Sequence, residues 1–161
     1  MNARFILVIM DARKKYAEIA KKKKLPKLEE LESVFAFKLN KDSENLYFDI
    51  LKGIEESIIY ARQVMENALF LNEASTQSQV YESGFVNRSL FDSYKKLMEL
   101  KWRYRMTYFE GIGKNYNEFI RESYDIWIKE IRPSLLELCK NMENAWKYYK
   151  KNKGIKQSYF G

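Results

Sequence analysis

Apolar side chains recur every three or four residues along most of this chain, the period that places them on one face of an α-helix. The clearest stripe is Leu46, Ile50, Ile54, Ile58, Ala61, Met65, Ala68 and Leu69, about six turns long and opened by Asp42 or Ser43 as a cap. Upstream, DARKKYAEIAKKKK is rich in Ala, Lys and Glu and predicts a helix ending at Leu25-Pro26, since the residue before proline leaves the helical region. The apolar run before it, Phe5 to Met10, fits a strand as well as a helix. Pro26 suits a first-turn position, and Leu28, Leu31, Val34, Phe35 and Leu39 follow behind an acidic turn as a short second helix.

Past a polar stretch at 73–79 and a stop at Gly84, a further long helix carries Leu90, Tyr94, Leu97, Met98, Trp102 and Phe109 on one side. Gly111 to Gly113 breaks it. Asn115 caps the next segment, where Tyr116, Phe119, Ile120, Tyr124, Trp127, Ile128 and Ile131 keep the period up to Pro133, which removes a donor and should kink or restart the helix. Leu135, Leu136, Leu138, Met142, Ala145, Trp146 and Tyr149 continue it. The pattern predicts an all-α protein: an antiparallel bundle of about three long helices, one or two short N-terminal helices, and corners near Gly84 and Gly111 to Gly113.

Charge divides the chain in three. Residues 1–27 carry a net +7, residues 28–146 a net −5, and residues 147–161 a net +5 with no acid at all. The expected organisation is therefore a basic N-terminal arm or helix, a helical body and a basic C-terminal tail tipped by Tyr159 and Phe160. Lysine runs improve solubility whatever else they do. Basic segments with interleaved aromatics are also what single-stranded or irregular RNA recruits, because lysines neutralise phosphates while rings stack on unpaired bases. The candidate phosphate contacts are Arg13, Lys14, Lys15, Lys21, Lys22, Lys23, Lys24 and Lys27 in the N-terminal segment, and Lys150, Lys151, Lys153 and Lys156 in the tail. Tyr16, Tyr159 and Phe160 are the candidates for stacking or pocket filling. Tyr94, Trp102, Tyr124, Trp127 and Trp146 lie on the apolar stripes and are expected in the core.

Enzyme chemistry finds little support. The sequence contains no histidine, the commonest metal ligand and proton carrier near neutral pH, and Cys139 is its single cysteine. Cys139 flanks the apolar stripe and reads as a buried structural thiol. Glu118 with Glu122, and Glu55 with Glu56, read as solvated helix faces, since a di-iron bundle would need Glu-x-x-His pairs. Gly111-x-Gly113-Lys114 lacks the spacing of a phosphate loop. No catalytic residue, cofactor or metal is expected.

The longest apolar run, six residues, falls short of the roughly 20 that span a bilayer, so a cytoplasmic protein without a transmembrane segment is expected. The expected function is non-enzymatic binding to RNA or a ribonucleoprotein, with the ribosome as candidate host and an assembly, occupancy or dormancy role. Phe5 to Met10 followed by cations would also suit a membrane surface.

Leu46-Tyr47-Phe48-Asp49-Ile50, and Gly84-Phe85-Val86 followed by Phe91 and Tyr94, resemble the small accessory subunit of the fungal post-translational protein-translocation complex of the endoplasmic reticulum. That family carries a membrane span before its helical domain, which this sequence lacks. The resemblance implies a protein-protein adaptor in a larger complex, the alternative to RNA binding.

Overall fold

A computed structural model describes residues 11–70, 88–110 and 115–153, the stretch 148–153 as helix alone. All of its regular elements are helices, as the apolar period predicts: α1 (Ala12–Lys23), α2 (Leu28–Val34), α3 (Leu46–Leu69), α4 (Arg88–Phe109), α5 (Tyr116–Ile126), a π-helical turn (Trp127–Ile131) and α6 (Arg132–Lys153). The fold is an all-α helical bundle. By its internal contacts the chain divides into two compact units, Met1–Ser57 with Arg103–Asp125, and Ile58–Trp102 with Ile126–Gly161. The apolar run at 5–10, the polar stretch at 73–79, and the corners at Gly84 and Gly111 to Gly113 lie outside the described residues.

In the first unit α1 starts at Asp11, whose carboxylate accepts the Arg13 N–H at 2.9 Å, while the Ala12 N–H donates to the Lys41 carbonyl at 3.0 Å. Ala12, Tyr16 and Ala20, spaced by four, form its buried face. The helix closes on Lys24 in the left-handed region (φ 54°), with the N–H groups of Lys24 and Leu25 both directed at the Ala20 carbonyl. Pro26 lies before α2 rather than in its first turn. There its free carbonyl accepts the Tyr16 hydroxyl at 2.9 Å.

Helix α2 is shorter than its apolar spacing suggests and stops at Val34. Phe35 and Leu39 are still buried, but from irregular chain. That chain lies on α3: the Ser57 hydroxyl donates to the Phe35 carbonyl at 2.6 Å, and one turn earlier Gly53 admits the Phe37 side chain. A Cβ on Gly53 would stand 2.5 Å from Phe37 Cγ and 2.8 Å from Phe37 Cβ. Asn45, not Asp42 or Ser43, caps α3 by accepting the Phe48 N–H at 3.2 Å. Asn115 occupies the expected start of α5, its carbonyl accepting the Phe119 N–H at 2.9 Å. Elsewhere in this unit Tyr47 donates to Asn117 at 2.9 Å, Arg105 pairs with Glu55 at 3.2 Å, and the rings of Tyr104 and Phe119 lie 6.1 Å apart.

In the second unit Tyr94 donates to Glu66 at 2.9 Å and its ring meets Phe70 edge-on. The hydroxyls of Ser93 and Ser134 share a buried hydrogen bond of 2.7 Å. Pro133 is the second residue of α6, inside one unbroken helical run. The π turn sits immediately upstream, with the Arg132 N–H bonded to the Trp127 carbonyl five residues back. Widening there relieves the clash a proline ring otherwise makes with the carbonyl four residues before it.

Several expected core positions are corrected. On α4 the buried residues are Leu90, Ser93, Leu97, Leu100, Tyr104 and Thr107, a regular alternation of three and four, whereas Trp102 is 61% and Phe109 79% exposed. Size misled the expectation: the seam admits small hydroxyl residues because Ser93 has a buried partner, and Tyr104 is the one ring of α4 it buries, with Trp102 and Phe109 turned outward. Leu136 and Trp146 are also exposed, and so is Cys139, which is not a buried structural thiol. Trp127 is buried as expected, and Tyr94 and Tyr124 are half-buried.

Gly53→Ala should destabilise the protein by about 1–3 kcal/mol in denaturant titrations, because overpacking against Phe37 outweighs alanine's better helix propensity of about 1 kcal/mol. Lys24→Gly should do the opposite. Relief of the left-handed strain should raise stability by up to about 1 kcal/mol, read as a higher midpoint at unchanged slope.

Candidate nucleic-acid interface

The N-terminal candidate cations lie on α1 and the turn that follows it, and the packing of α1 decides which of them face outward. With Ala12, Tyr16 and Ala20 turned inward, a 3.6-residue period carries Lys14 and Lys21 to the opposite side and Lys15 and Lys22 to its flank. Lys23 and Lys24 complete the helix end, and Lys27 stands at the entrance to α2. All seven of these lysines are exposed, and none forms an ion pair with a described residue. Three of them, Lys21 to Lys23, also sit in the last turn of α1, where cations complement the negative end of the helix dipole.

Two members of the expected set are placed differently. Arg13 is not a free cation: its guanidinium makes a two-pronged pair with Glu32, NH1 to Oε1 and NH2 to Oε2, both at 2.8 Å. The same Glu32 Oε1 accepts the Leu39 N–H at 2.9 Å, and Arg13 reaches the Leu39 carbonyl at 3.4 Å. The Arg13 hydrogen bond holds the Glu32 carboxyl below its usual range against the opposing effect of burial, with the Leu39 N–H adding to it. Tyr16 is not available for stacking. Its side chain is fully buried, and burial pushes its phenol far above the ordinary value, so it stays a protonated donor to Pro26. The reason is periodic: Tyr16 lies midway between Ala12 and Ala20, whose small side chains leave room for one large ring.

The C-terminal candidates divide as well. Lys150, Lys151 and Lys153 belong to the last turns of α6, which continues past the expected boundary at 147 to Lys153. Lys156, Tyr159 and Phe160 lie outside the described residues.

A feature with no signal in the linear pattern is a groove between α1 and α2. It encloses about 470 Å³ and has a mostly apolar floor of Ala17, Ala20, Leu25 and Leu28, with Arg13, Lys21, Lys27 and Glu29 around it. Spacing alone puts Ala17 and Ala20 on one apolar stripe; in the structure Ala20 is buried and Ala17 faces out. The second unit has a more open cleft near Ser93 and Ser134 with acids and bases intermixed, which selects neither sign of ligand. Among the described residues no group of three or more potential ligands could hold a metal ion, and no helix is long and apolar enough to cross a membrane. No family model, curated protein or solved structure matches this chain.

The Arg13–Glu32 pair sets an acid limit on stability. Because Glu32 titrates below its ordinary value of 4.5 when folded, its contribution is complete above that pH and is lost as pH falls through the lower folded-state value. Glu32→Gln should lower stability at neutral pH by about 2 kcal/mol and flatten the acid limb of a stability-against-pH curve. An unchanged acid limb in the variant would show that the pair is not the titrating element.

Proposed function

We propose that this protein is a non-enzymatic helical module that docks on RNA or a ribonucleoprotein through the exposed lysines of α1 and the turn after it, with the ribosome as candidate host. The observation that carries this reading is the set of seven exposed lysines from Lys14 to Lys27, five on α1 and two in the turn that joins it to α2. Lysines in solvent attract phosphates by releasing condensed counterions, a term indifferent to sequence. Because α1 is anchored through Tyr16 and through Arg13 to Glu32, its backbone need not be ordered when a polyanion arrives. The loss of Arg13 and Tyr16 from the contact set shifts the proposed contacts from stacking towards phosphates. Lys150, Lys151 and Lys153 add cations at the end of α6. An assembly, occupancy or dormancy factor would use such a face alike.

Exposed Trp102 and Phe109 on α4 favour a second reading, a protein-protein adaptor such as the resemblance to the translocation accessory subunit implies. Salt separates the two, since an apolar interface responds weakly to ionic strength.

In binding titrations with single-stranded RNA, the logarithm of affinity should fall linearly with the logarithm of salt, by about 0.7 per phosphate contacted. Replacing Lys21, Lys22, Lys23 and Lys24 together with Gln should reduce that slope by up to about 3. On sucrose gradients the native protein should comigrate with ribonucleoprotein particles and leave them at high salt or after nuclease treatment. Migration indifferent to both would reject RNA docking and favour the adaptor.

A further inference from the structure

We propose that the groove between α1 and α2 receives one unstacked base of a single-stranded nucleic acid, whose flanking phosphates lie on Lys21 and Lys27. The inference rests on the RNA-docking reading and deepens it by naming the form of nucleic acid. Three features of the groove carry it. Its floor, Ala17, Ala20, Leu25 and Leu28, is apolar and partly open to solvent, a surface that gains from covering by a flat, weakly hydrated ring. Its edges bear a cation from each side, Lys21 on α1 and Lys27 at the start of α2, so a chain crossing the groove would meet a lysine before and after its base, with Glu29 the one carboxylate of the lining. Its volume of about 470 Å³ falls within the range of small-ligand sites.

Charge selects the occupant. A single-headed anionic amphiphile would answer one or two cations and leave the rest of the seven lysines unmatched. A nucleic acid carries a charge on every residue. A duplex keeps its bases paired and stacked inside, with no ring to offer an apolar floor, whereas a single strand can splay one out. The Arg13–Glu32 pair beside the groove holds α1 at a fixed spacing from α2 and so keeps the slot open.

The test uses the full chain and fluorescence anisotropy with a short labelled oligoribonucleotide, the same strand with abasic ribose at every position, and the strand annealed to its complement. Ala17→Leu fills the groove without changing charge, at an exposed site where leucine is a good helix former, and circular dichroism checks its fold. Wild type should bind the normal strand about tenfold more tightly than the abasic strand or the duplex. Ala17→Leu should erase that preference while leaving the salt slope unchanged. Equal, salt-sensitive affinity for all three probes would overturn the base slot and leave RNA docking standing. Absence of salt-sensitive binding to any probe would overturn both. Displacement of the strand by phosphatidylserine vesicles or a polyglutamate peptide from wild type but not from Ala17→Leu would assign the groove to that competitor and overturn the inference.

Discussion

One carboxylate organises the N-terminal part of this protein. Glu32 holds both terminal nitrogens of Arg13 on α1 and the backbone N–H of Leu39 on the chain leading to α3. Three segments with no regular hydrogen-bond ladder between them are thereby joined by charge-assisted bonds, which are about twice as strong as neutral ones. The pair is partly buried, Glu32 more than Arg13, so water screens it less than it would an exposed ion pair. Surface pairs such as Lys52 with Glu56 or Arg88 with Asp92 have no comparable consequence, being exposed and local to one helix.

What this carboxylate holds in place is a helix with almost no hydrophobic reason to stay. The buried face of α1 is two alanines and a tyrosine, a small apolar area for a helix carrying so many lysines. Tyr16 compensates by burying a large ring and sending its hydroxyl to Pro26, a carbonyl left free because Pro26 lies outside both helices. The self-repulsion of Lys21 to Lys24 is offset by their place at the negative end of the helix dipole. A cationic surface on a preformed scaffold is the result, and the groove beside it exists because small residues, Ala17 and Ala20, line the approach of α1 to α2.

Elsewhere close approach rather than charge sets the geometry. Gly53 lets Phe37 lie against α3 where any other side chain would collide, and Ser57 one turn on bonds the Phe35 carbonyl. In the second unit Ser93 and Ser134 replace a larger apolar contact with a short shared hydrogen bond. Small residues at these points admit backbone or hydroxyl contacts that a core of leucines would exclude. The π turn before Pro133 has a similar logic, a local widening that makes room for a proline within a continuous helical run.

The linear pattern by itself determined that the chain is helical and roughly where each helix runs, because amphipathic periodicity and capping are local properties: the stripe of α3, the stop before Pro26 and the cap at Asn115 were all readable. It also located the basic segments, since charge is additive along a chain. Only the tertiary structure decided which side chains remain available. Arg13 and Tyr16 look from their neighbours like free members of a basic patch, yet Glu32, nineteen residues away, consumes one and the core consumes the other. Trp102 looks like core and is exposed, because the seam of α4 follows Ser93, Leu97, Leu100 and Tyr104 instead. Partners brought together across a turn leave no trace in periodicity, so pairing, burial and the groove between α1 and α2 emerge only when the helices are packed.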